Sequence, residues 1–235
     1  MKKLFLRFIL LFFVLSSCKT TTVQETPKAV PVGTWKYTFI VYGMVVGETI
    51  ISNELNGQNY IITSFMNVQI GKDRKTVINK TLIETIDFKP VKHEMNNNTT
   101  TNGITQQTSM SISFENNNIT VVANGQTEHI TLDKPYILGA NYFTYAHLQQ
   151  GYKIGNTVEA DCYIPTLELE DTIRCKETVV GIDEISINGK QKKLIKIKQE
   201  IDGVELSNTY VDETGIVYRT VISTEDHETE LILVE

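Results

Sequence analysis

From Trp35 onward the chain alternates apolar and polar residues, and turn signals cut the alternation at short intervals. That pattern restricts the fold to antiparallel β-structure. In "WKYTFIV", Trp35, Tyr37, Phe39 and Val41 share one face, and Lys36, Thr38 and Ile40 share the other. In "TSMSISF", Met110, Ile112 and Phe114 oppose Ser109, Ser111 and Ser113. A period of two buries one set and leaves the other in water. Asn56-Gly57, Asn124-Gly125, Asn188-Gly189 and Asp202-Gly203 are two-residue hairpin signals, because the favoured tight turns need positive φ at their central residues. Looser turns are expected at Asn116-Asn117-Asn118 and from Asp212 to Gly215. The runs between these breaks give roughly 10–13 strands joined as consecutive hairpins, hence a meander. No βαβ alternation occurs.

One segment breaks the period: "YILGANYFTYAHLQQGYKIG", Tyr136 to Gly155. Asn141 can cap a helix start and Gly151 can end it. The spacing predicts one short helix over about residues 139–150, with Tyr142, Tyr145, Ala146 and Gln149 on one face. A lone apolar helix in an antiparallel protein packs most readily into the concave side of a curved sheet.

The N-terminus reads as an address. Lys2, Lys3 and Arg7 precede a wholly apolar run, Phe8 to Leu15. That run is far below the roughly 20 residues a permanent membrane helix needs and has the form of an export signal. Leu15-Ser16-Ser17-Cys18 comes next. These four residues resemble the lipobox of bacterial lipoprotein precursors. The resemblance implies cleavage after residue 17, acylation of Cys18 with chains such as palmitate, and anchoring of the domain by lipid, each buried CH₂ contributing about 0.8 kcal/mol. Lys19 in place of Asp implies the outer membrane. "CKTTTVQET" lacks the acidic cluster of surface-exported lipoproteins, so the expected orientation faces the periplasm. The expected division is a signal peptide at 1–17, a lipidated cysteine and tether at 18–33, and one antiparallel β domain at 34–235.

The whole chain has 22 basic and 28 acidic residues, and the first 17 positions hold three of the basic ones and no acid. The chain from Cys18 onward therefore carries a net charge of −9. An acidic, Asn- and Thr-rich surface excludes nucleic acid as a partner and disfavours adsorption to anionic headgroups. With Cys18 acylated, Cys162 and Cys175 remain as a possible disulfide in an oxidising compartment, or as two separate buried thiols.

Beyond the N-terminus, the order of "YTFIVYGMVVGE", "ETIDFKPVKHE", "LQQGYKIGNTV", "ETVVGIDEISINGK", "IKIKQEIDG" and "TYVDETGIVYR" resembles an uncharacterised bacterial envelope family. That family is related in architecture to the LolA/LolB lipoprotein carriers and to the β domain that precedes transglutaminase-like domains. The resemblance implies an all-β fold with one short helix, the meander forming a half-open barrel around a central helix. It implies no catalytic residues.

No motif for chemistry emerges from the residues. His93, His129, His147 and His227 show no metal-ligand spacing, so no metal and no cofactor is expected. Glu225 to Glu230 around His227 reads as a solvated turn, and Glu168 to Asp171 as a charged tip. A Cys175/His227/Asp226 arrangement would put the cysteine on a strand, whereas nucleophilic cysteines are typically activated at a helix N-terminus or beside a cation. Asp171-Thr172-Ile173 fits a loose glycosylation tripeptide that chance also supplies. The chain is therefore expected not to be an enzyme. Trp35, Tyr37, Phe39, Tyr142 and Tyr145 are the candidate lining of a cavity. Two functions are expected: binding of an apolar ligand, such as a lipid or acyl chain, or docking to an envelope partner in an outer-membrane assembly.

Overall fold

The computed structural model describes residues 29–223 and 228–234. The export signal, Cys18, Asp226 and His227 lie outside the described residues. Among the described residues fourteen strands and one helix form: β1 (Gly33–Val41), β2 (Met44–Asn56), β3 (Asn59–Ile70), β4 (Arg74–Thr85), β5 (Pro90–Thr101), β6 (Ile104–Glu115), β7 (Asn118–Ala123), β8 (Gln126–Thr131), α1 (Tyr142–Gln150), β9 (Thr157–Cys162), β10 (Ile173–Ile187), β11 (Lys190–Ile201), β12 (Val204–Val211), β13 (Val217–Ser223) and β14 (Glu228–Leu233).

The strand count exceeds the expected range, and four hairpins turn at sites other than the expected ones: residues 42–43, 71–73, 86–89 and 102–103. Tyr42-Gly43 and Asn102-Gly103 both adopt positive φ, the backbone of the favoured two-residue turn. The expected turns at Asn124-Gly125, Asn188-Gly189 and Asp202-Gly203 have the same geometry. Asn56-Gly57 differs: Asn56 still belongs to β2, and the turn residues are Gly57 and Gln58.

All strands form one antiparallel sheet in the order β8-β7-β6-β5-β4-β3-β2-β1-β14-β13-β12-β11-β10-β9. Every pairing joins strands adjacent in sequence except the central one, where Tyr37 faces Leu233 and Val41 faces Thr229. The sheet does not close into a hydrogen-bonded ring, since β8 and β9 do not pair. Side chains draw the two edges together instead. Tyr163, just after β9, packs with Ile112, Ile119, Val121 and Ile130 of β6–β8. Its ring meets Phe114 edge-on at 5.9 Å, and its hydroxyl donates to the Leu169 carbonyl at 3.0 Å. Ile137 lies alongside the outer edge of β9, with Tyr163 N–H donating to its carbonyl.

The helix fills the concave side and touches three separate clusters. Leu148 packs on Val179, Ile197 and Val211. Phe143 packs on Val158, Cys162 and Cys175. Tyr142 and Tyr145 pack on Val30, Tyr60 and Phe88. Val30 is thus already part of the core, and Asn53 Nδ2 donates to the Pro31 carbonyl at 2.7 Å. Opposite the helix face of β10–β14, Ile187, Leu194 and Tyr210 form a cluster with Val221 and Ile232.

The helix begins at Tyr142, after a positive φ at Gly139, with Asn141 at the N-cap position and its carbonyl accepting from Tyr145 N–H. The Asn141 side chain makes no cap hydrogen bond and instead exchanges amide hydrogen bonds with Asn53 at 3.0 and 3.3 Å. The C-terminus matches expectation: Gly151 is left-handed at φ 74° and its N–H returns to the last turn.

Candidate functional site: two cavities beside the helix

Two cavities flank the start of α1 and share Ala140, Thr144 and Val217 as walls. The smaller, about 200 Å³, is lined mainly by Trp35, Tyr37, Ile51, Ile62 and Ile216. It is an apolar chamber between β1–β3 and the turn before β13. Tyr37 is almost wholly buried, and its hydroxyl donates to the Val217 carbonyl at 3.2 Å. Burial pushes that phenol up to about 12, so it stays a neutral donor.

The larger cavity, about 300 Å³, lies between α1 and the inner faces of β10–β13. Its wall is polar in one band. Glu177, Gln199 and Ser207 are direct cross-strand neighbours on β10, β11 and β12. Ser207 Oγ donates to Gln199 Oε1 at 3.1 Å, and Gln199 Nε2 donates to Glu177 Oε1 at 3.3 Å. Above them, His147 of α1 is fully buried. Its Nε2 lies 3.3 Å from Glu177 Oε2, yet neither ring nitrogen makes a hydrogen bond of sound geometry. The His147 ring stacks on Tyr152 at 5.7 Å. Tyr152 is held at φ 50°, and burial with Glu177 and Asp212 nearby pushes its hydroxyl well up.

The sequence-derived lining divides between two places. Trp35 and Tyr37 line the apolar chamber. Phe39 is half-buried farther along β1, opposite Gly47 and Leu231. Tyr142 and Tyr145 face the other side of the helix, around Phe88, with ring centroids 5.8 and 5.0 Å away. Cys162 and Cys175 are free, buried thiols. Cys162 faces Ile173 and Cys175 faces Ala160, so they are diagonal neighbours on β9 and β10. Their thiols hydrogen-bond to one another, which pushes Cys162 up and holds Cys175 down.

His147, Glu177, Gln199 and Ser207 are not among the site residues expected from sequence. A signal for two of them exists in the strand pattern. Ile173, Cys175 and Val179 share the buried face that Glu177 interrupts, and Ile195, Ile197 and Ile201 flank Gln199 in the same way. Two more buried polar groups sit elsewhere on the concave side. Glu84 is fully buried with neither carboxyl oxygen well bonded, and desolvation raises it to about 7 despite the nearby Asn141. His93 is likewise unbonded, and burial together with Lys80 lowers it to about 4. Among the described residues, no three His, Cys, Asp or Glu side chains gather as a metal site.

No protein-family model matches the sequence, and no curated protein matches it either. Solved structures do. A β-barrel-like protein of the domain of unknown function DUF1849 from Brucella abortus superimposes with a TM-score of 0.62 at 12% identity, covering 88% of this chain and 98% of that one. A DUF1089 family protein from Pseudomonas aeruginosa gives 0.38 at 12% identity, covering 80% and 88%. A "putative lipoprotein" from Parabacteroides distasonis gives 0.30 at 10% identity, covering 88% and 95%. The first likeness establishes a β-barrel-like fold; the other two carry no argument.

Proposed function

We propose that this chain is a non-catalytic binding module that holds an apolar ligand, a lipid or acyl chain, beside α1, and that Cys18 anchors it to the outer membrane facing the periplasm. The observation that carries the ligand reading is the apolar chamber of about 200 Å³ walled by Trp35, Tyr37, Ile51 and Ile62 and adjoining a second cavity. Ligand sites are concave, largely apolar and supplied with a few placed polar groups. The test is native mass spectrometry of the unlipidated domain purified from the periplasm, followed by solvent extraction. Co-purifying lipid, lost when Ile51 and Ile62 are both replaced by Trp to fill the chamber, is the expected result. A domain that carries nothing and does not bind N-phenyl-1-naphthylamine would sink the reading.

One observation favours docking to an envelope partner instead. Tyr42, Met44 and Val45 are exposed together at the β1–β2 tip, an apolar projection of the kind that marks contact surfaces. A photo-crosslinker at Met44 that traps one envelope protein in cells, with an empty interior, would decide for this reading.

A further inference from the structure

The larger cavity has a chemical bias that its volume does not express. Glu177 is the one formally charged side chain among its lining residues, and neither lysine nor arginine lines it. Glu177 Oε2 lies 3.3 Å from His147 Nε2, and both residues line the cavity. Ser207 Oγ spends its proton on Gln199 and so presents lone pairs. Thr209 and Thr220, also in the wall, spend one hydroxyl proton on each other at 3.4 Å. The wall therefore holds one carboxylate and no cationic lysine or arginine, and it presents acceptors at Glu177 and Ser207. His147 adds a fully buried imidazole with no well-formed hydrogen bond, and leaving such a group unsatisfied costs about 1–3 kcal/mol. A group entering the cavity that hydrogen-bonds His147 and Glu177 would recover that cost. An anionic head would instead meet the Glu177 carboxylate in a partly desolvated site, where like charges repel strongly.

Resting on the apolar-ligand reading above, we infer that the cavity beside His147 and Glu177 is a head-group subsite for an amphiphile whose head donates hydrogen bonds and carries no negative charge. A hydroxylated head of glycerol size is the chemical class that fits. The shared walls at Ala140, Thr144 and Val217 let its tail run into the chamber of Trp35 and Tyr37. The likeness is to an acylglycerol rather than a free fatty acid.

The experiment is displacement of N-phenyl-1-naphthylamine from the unlipidated domain by 1-monolauroylglycerol and by laurate, two ligands with the same tail. The expected result is at least tenfold tighter binding of monolauroylglycerol. Glu177→Gln removes the charge while keeping the Gln199 contact, and it should cut that preference to threefold or less, chiefly by improving laurate. Ser207→Ala serves if Glu177→Gln does not fold; it should weaken monolauroylglycerol several-fold and leave laurate unchanged. Laurate binding as well as monolauroylglycerol to the native domain, or a preference untouched by either substitution, overturns the head-group inference and leaves the apolar-ligand reading standing. Failure of all three probes to bind overturns both.

Discussion

Single residues on the concave side set the pH response. Glu84 titrates near 7 in the folded chain and near its ordinary carboxylate value when unfolded. The folded state then holds the proton more tightly, so its contribution is present at low pH and is lost as pH rises from about 4.5 through about 7. His93 works the other way: its folded value is near 4, so stability is lost as pH falls from about 6.5 through about 4. The two slopes oppose one another between about pH 4.5 and 6.5, and the native melting temperature should be nearly flat there. Glu84→Gln should expose a melting temperature that falls on acidification, and His93→Phe one that rises, each by the equivalent of on the order of 2 kcal/mol. Thermal melts at several pH values check this; a variant that keeps the flat profile would show that its group is not the source. Gly47 makes a different kind of demand. A Cβ there would overlap the Asn67 carbonyl oxygen and Val68 Cα of the neighbouring strand. Gly47→Ala should therefore cost about 2–4 kcal/mol by denaturant titration. None of these demands is legible in the sequence. Gly47 sits in an ordinary alternating strand, and Glu84 and His93 look like any polar residue until the sheet curves over them.

At the scale of elements, the strands are legible and the site is only half so. Period-two alternation and Asn-Gly or Asp-Gly pairs name their own backbone geometry, so the hairpins at Asn124-Gly125, Asn188-Gly189 and Asp202-Gly203 announce themselves. Tyr42-Gly43 does not, because tyrosine rarely adopts positive φ. Asn141 and Gly151 locate the two ends of the helix, although the Asn141 amide serves Asn53 and makes no cap hydrogen bond. Which helix face meets the cavities is not legible, because Tyr142, Phe143 and Leu148 are all apolar and all buried or half-buried. The spacing points to Tyr142 and Tyr145, and the structure puts Phe143, Thr144 and His147 at the larger cavity. Leu148, wedged among Val179, Ile197 and Val211, should cost about 3 kcal/mol when cut to Ala. Tyr145→Leu, which keeps most of its apolar contact with Phe88, should cost under about 1.5 kcal/mol. Equal costs would mean that the helix is not seated as described. The β9–β10 pair allows a separate check. Diagonal neighbours lie about 7–8 Å apart, beyond the about 4.4–6.8 Å that a disulfide normally spans between Cα atoms. Periplasmic protein unfolded without reductant should thus label at both Cys162 and Cys175. Zero labelled thiols would show the pair oxidised and the two strands drawn closer than here.

Taken whole, the molecule is a curved sheet whose ends are sealed by side chains, and its anchor is an expectation carried by Leu15-Ser16-Ser17-Cys18. Cys18→Ser should abolish incorporation of labelled palmitate and release the chain from the membrane fraction; a variant still labelled and still sedimenting would remove the anchor from the proposal. The seam between β1 and β14 has a consequence for how the chain reaches this shape. Among the described strands, twelve of the thirteen pairings join neighbours in sequence and can zip as soon as their two strands exist, whereas Tyr37 must find Leu233. Local pairings form fast and distant ones slowly, because loop entropy is lost before contacts reward it. Two half-sheets, β1–β8 and β9–β14, should then assemble early and wait for each other, with α1 carried on the link between them. The seam is the last hydrogen-bonded row to form, so a burial-reducing change such as Leu233→Ala should speed unfolding while leaving the refolding rate nearly untouched, the opposite of a change within the β10–β11 hairpin.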